Sequence, residues 1–170
     1  MRNAILFTTL LLGVIFSVEA KTIRKKVHPT VKQSPIQRLS LRHTTCFGRC
    51  PDINIEINKD GLVQYTGLRF VKDSGLYQKK FSIDAVQALL RRFNDSRVDT
   101  CRKEYFNRIP DVAGMIFTIT YADSVKKIYN AQFGPIWLRQ LANGVDSFAV
   151  IDNTWTKIST AKSPKTHAGK

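Results

Sequence analysis

The chain has 170 residues, 43% of them hydrophobic, which is enough apolar material for one domain with a real core and excludes a multidomain assembly. Its formal net charge of +14 suggests a nucleic-acid binder, yet the charge lies at the ends: Lys21–His43 carries seven Lys and Arg and no acid, and Lys157–Lys170 four Lys and no acid. Between Thr44 and Thr156 fifteen basic residues stand against twelve acidic ones, so the folded part carries no excess that would make a specific nucleic-acid groove.

Residues 1–20 have the layout of a signal peptide: a basic start at Arg2, an apolar run from Ala4 to Phe16, and Val18-Glu19-Ala20 before a cleavage site after Ala20. The thirteen residues of that run, two of them threonines, fall short of the ~20 that span a bilayer, so no transmembrane segment is expected. The mature chain is then exported, to the periplasm or outside the cell. Residues 21–37, with Pro29 and Pro35 and no apolar periodicity, read as a basic linker, and 158–170 as a basic disordered tail. Such tails allow weak, salt-sensitive contact with anionic surfaces.

Residues 38–157 form the single domain. Arg38-Leu39-Ser40-Leu41-Arg42 alternates at period two and predicts a short strand. Cys46-Phe47-Gly48-Arg49-Cys50-Pro51 follows. Four steps of extended chain would cover about 13 Å, whereas bridged cysteines need α-carbons roughly 4.4–6.8 Å apart, so Cys46 and Cys50 can pair only across a turn. Gly48 at the midpoint accepts positive φ, and Pro51 fixes the backbone beyond the second sulfur.

Asp52–Asn58 is the clearest strand, with Ile53, Ile55 and Ile57 on one face; Asp60-Gly61 turns it back into Leu62–Thr66. Phe70-Val71 and Leu76–Phe81 flank Asp73-Ser74-Gly75 as a second hairpin. Ser82 caps a helix carrying Ile83, Val86, Leu90 and Phe93 at helical spacing. Val98–Gly114 reads as a long irregular connection, the kind of loop that often carries function. A third hairpin joins Met115–Tyr121 to Val125–Ala131, and Gly134-Pro135 opens a second helix that Asn143-Gly144 weakens, with Asp146–Ile151 a possible restart. Hairpins followed by single helices predict an α+β fold: a mainly antiparallel sheet with two helices packed on its isoleucine face.

The cysteines carry the chemistry. An exported, oxidised chain favours a Cys46–Cys50 bridge with Cys101 as the odd thiol, though the sequence leaves a Cys101 partner open. A thiol-disulfide oxidoreductase using Cys46 and Cys50 is the rival reading; such enzymes commonly space the pair by two residues and run into a helix, whereas here Pro51 and a strand follow. His43, Cys46, Cys50 and Cys101 would serve as four zinc ligands only if they stayed reduced, so no metal is expected. A hydrolytic triad within the domain would have to recruit His43, and Asp111 with Tyr105 is the remaining acid/base pair. No phosphate loop or dinucleotide fingerprint is present, and no cofactor is implied.

The run Leu41–Pro51, with Asp60-Gly61, Val63–Gly67, Asp111, Gly134-Pro135, Asp146 and Trp155, resembles a bacterial exported domain family of unknown function whose hallmark is Cys-Phe-Gly-x-Cys-Pro. Val112–Met115 departs from the threonine-rich run of that family. The resemblance implies no activity. The residues themselves point to a non-catalytic module whose bridged turn presents Phe47, Gly48 and Arg49, with Asp111 as a further candidate binding residue, to an unknown protein or small ligand. The plainer alternative packs Phe47 on the sheet edge and leaves Arg49 solvated.

Overall fold

The structure, a computed structural model, describes residues 34–107 and 112–158. The expected signal peptide, most of the basic linker and the tail from 159 onward lie outside the described residues, as does Asp111.

The chain forms an α+β domain in the order β1 (Arg38–His43), β2 (Asp52–Asn58), β3 (Leu62–Arg69), β4 (Gly75–Lys80), α1 (Ile83–Asp95), β5 (Glu104–Tyr105), β6 (Met115–Thr120), β7 (Val125–Asn130), α2 (Ile136–Asp146) and β8 (Thr156–Ile158). The eight strands make one sheet, β5-β7-β6-β1-β2-β3-β4-β8, antiparallel except where β5 meets β7. β1 sits in the middle because it pairs with both β2 and β6 over all six residues. Among the described residues no helix is long and apolar enough to cross a membrane.

Period-two alternation along these strands puts three rows of side chains on the face that the helices cover. The first row is Leu39, Ile57, Val63 and Ile119; the second is Leu41, Ile55, Tyr65 and Phe117. Both are buried, and Val86, Leu90 and Phe93 of α1 and Leu138, Leu141 and Val145 of α2 close over them as one core. Ser82 caps α1 as expected, its Oγ accepting from the Ala85 amide at 3.3 Å.

Four details differ from the sequence reading. Packing begins ahead of Arg38: Ile36 is fully buried, and the Ser34 amide donates to Gln87 Oε1 of α1 at 2.9 Å. Phe70-Val71 is not a strand. β3 ends at Arg69, Phe70 takes φ of 55°, and the loop folds back so closely that a Cβ on Gly67 would lie 2.1 Å from the Asp73 carbonyl. α2 does not break at Asn143-Gly144 but runs on to Asp146. There the missing side chain is what lets the helices touch, since a Cβ on Gly144 would already sit 3.1 Å from Leu89 Cδ1. Finally, the long connection contains a 3-10 turn at Val98–Thr100 and the short strand β5, and the domain closes with β8 against β4.

Candidate functional site

Cys46 and Cys50 are bridged, with α-carbons 5.6 Å apart, and Gly48 between them takes φ of 142°, where a side chain would be strained. The turn leads into β2 through Asp52, which is buried between Arg42 (3.4 Å) and Arg69 (3.7 Å) and ties the turn's exit to β1 and β3. At its entrance, the Thr44 amide donates to the Gly114 carbonyl at 2.8 Å, and the Gly114 amide donates to Thr44 Oγ1 at 2.9 Å. The turn is therefore held at both ends. On it, Phe47 is 88% exposed and does not pack on the sheet edge; Arg49 is exposed too.

Cys101 is free, 8% exposed and remote in role from that bridge: burial pushes its thiol up, with the Tyr105 hydroxyl opposing more weakly. It is thereby a poor nucleophile. With Cys46 and Cys50 joined, the four-residue zinc set is not assembled, and among the described residues no group of three or more His, Cys, Asp or Glu is placed to hold a metal. Tyr105 accepts from the Arg102 amide at 3.2 Å; its proposed acid partner Asp111 lies outside the described residues.

Beside the turn the sheet's third row, His43, Ile53, Gly67 and Met115, opens into a cleft of about 650 Å3. Cys50 and Pro51 form part of one wall, and the Phe70–Lys72 loop, brought in by the glycine at 67, forms another. Ala113–Met115 and the C-terminal half of α2 complete it. Across the cleft His43 Nε2 lies 2.8 Å from Asp146 Oδ1, joining the end of β1 to the end of α2. The sequence placed a histidine near the turn but did not bring these two together. The signal was there: His43 follows Leu39 and Leu41 at period two, so it falls on the core face where a polar side chain needs a partner. Tyr65, Lys72, Arg139 and Asn143 also line the cleft, and no local pattern in the sequence marks them out.

Fold and site together define an α+β domain with one helical layer and a cleft beside a bridged turn. The chain belongs to the family described as Domain of unknown function (DUF6438), which matches residues 37–149, from the start of β1 to just beyond α2. No curated protein matches the chain.

Proposed function

We propose that this is an exported, non-catalytic binding module in which the bridged turn presents Phe47 and Arg49, beside the cleft, to a protein or small ligand. The observation that carries the reading is Phe47. An aromatic side chain 88% exposed on a turn already fixed by a disulfide loses little further freedom on binding, and aromatic and arginine side chains are the common anchors of interfaces. The bridge supports a structural role because Pro51 and β2, not a helix N-terminus, follow the second sulfur, so no helix dipole lowers a thiol there. A binding role is compatible with the cleft, where the Thr44 hydroxyl next to His43 is engaged with Gly114.

In the same reading residues 1–20 are a signal peptide, 21–37 a basic linker and 158–170 a basic tail in weak contact with anionic surfaces, and Cys46–Pro51 is the signature of a bacterial exported family. The bridge and the lack of a membrane-crossing helix among the described residues are compatible with export.

The test is a photo-crosslinking residue at position 47 in the exported fraction. A discrete adduct that disappears with Arg49→Ala is expected; a diffuse or unchanged pattern would remove the turn as an interface. Insulin reduction by the purified chain, lost in Cys46→Ser, would replace the binding module by a thiol-disulfide oxidoreductase.

A further inference from the structure

One wall of the cleft carries a buried phenol, Tyr65, whose hydroxyl has no partner among the described residues. Tyr65 is 6% exposed, and its hydroxyl bonds to no other described residue. Yet no side-chain nitrogen or oxygen sealed from solvent lacks a hydrogen-bond partner among the described residues. The Tyr65 hydroxyl therefore opens onto accessible space, and the space Tyr65 lines is this cleft. Burial also pushes its phenol up, with Asp73 and Tyr77 adding to the effect, so it remains a neutral O–H donor at physiological pH.

Asp73 acts on Tyr65 from outside the cleft lining, whereas the charges within the lining itself leave two cations over. Lys72 and Arg139 line the cleft and neither forms an ion pair among the described residues. Among the described residues the single acid in the lining, Asp146, is occupied by His43 at 2.8 Å. The floor between them is apolar, with Ile53 and Met115 only partly buried by the core. A volume of about 650 Å3 lies within the roughly 300–1,000 Å3 typical of sites for small organic molecules.

We propose that the cleft takes a small organic acid: its carboxylate is met by Arg139 and Lys72, its apolar body lies on Ile53 and Met115, and the Tyr65 hydroxyl donates to an acceptor on the ligand. This deepens the binding-module reading and rests on it. Arginine and lysine beside an apolar floor favour an anion with a hydrophobic body over a wholly polar one, which would leave that floor wet.

The experiment titrates the full chain, minus only whatever export removes, with two matched pairs: 1-naphthylacetate against 1-naphthylacetamide, and decanoate against decanamide. Calorimetry gives affinities, and amide chemical shifts locate the site. At least one acid should bind saturably, with shifts at His43, Met115 and Asn143, and at least about tenfold more tightly than its amide, the value of one charge-assisted contact. The better pair separates an aromatic from an aliphatic, lipid-derived source. Lys72→Gln with Arg139→Gln should bring acid and amide level, and Tyr65→Phe should weaken the acid by about three- to tenfold without lowering the melting temperature.

Acid and amide binding equally in the wild type would overturn the organic-acid inference while leaving a ligand cleft in place. Binding by neither pair, with the Phe47 adduct intact, would overturn it and leave the turn as the interface. Discrimination that survives the double substitution would remove Lys72 and Arg139 as its cause, and the inference with them.

Discussion

Ile55 and Ile53 are two residues apart on the same strand and the same face, yet one is fully buried and the other only partly. They mark the boundary between two regions of one surface. In the first two rows every β1 and β2 side chain is apolar and buried in the core; in the third the corresponding residues are His43, Ile53, Gly67 and Met115, of which Ile53 and Met115 pack against the core only in part, and α2 stands off as a wall of the cleft. The third row is instead lined with a His–Asp pair, two cations without an ion pair among the described residues, and a rigid turn, at the place where the core gives way to a cleft.

The sharpest way to break that comparison is to truncate the two isoleucines in turn. Ile55→Ala leaves a cavity under the helices and should cost about 2–5 kcal/mol in denaturant unfolding. Ile53→Ala opens onto space already accessible and should cost roughly half as much or less. Equal losses would mean that the third row is as much a part of the core as the second. Next in size, replacing both Cys46 and Cys50 by Ser should cost about 2 kcal/mol and lower the melting temperature by a few degrees; no loss would mean that the Asp52 and Thr44 contacts hold the turn without the bridge.

The smallest effect is in pH. Burial pushes Tyr65, Tyr121 and Cys101 above their ordinary values of 10.0, 10.0 and 9.0. The folded chain thus keeps protons that the unfolded chain releases, so the stability these groups contribute is full below those ordinary values and is lost as pH rises through the folded ones. The urea midpoint should fall from about pH 9 upward, and Tyr65→Phe should flatten the decline if the cleft's tyrosine contributes to it. On the acid side the sign is opposite. Asp60 is lowered by the Leu62 amide and Lys80, and Asp152 by Thr154 and Lys79, so what they contribute is lost only as pH falls below 3.8.

Much of the covered region was legible in the sequence, because it obeys local rules. Leu39-Ser40-Leu41 and Ile53–Ile57 alternate, Ser82 caps its helix, and the Cys46–Cys50 spacing demands a turn. The cleft was not, because its parts come from separate stretches of the chain whose only relation is where the fold puts them. Lys72 arrives through a loop that Gly67 admits, and Asp146 through a helix that Gly144, read from the sequence as its weak point, allows to press against α1; both glycines are contacts. β5 and β8 escaped notice for another reason. At two and three residues they are too short to show a period, and pairing alone defines them.

Those two brief strands close both sides of an eight-stranded sheet, β5 beyond β7 and β8 beyond β4. Each covers only part of its neighbour: β8 pairs with Leu76, Tyr77 and Gln78 and leaves Lys79 and Lys80 at the margin, while β5 pairs with Tyr129 and Asn130 and leaves Lys126 and Lys127. The backbone not capped by a short strand is thus flanked by lysines, whose charge and hydration oppose the docking of another chain. A sheet of eight strands thus carries at its margins its own guard against pairing with its copies.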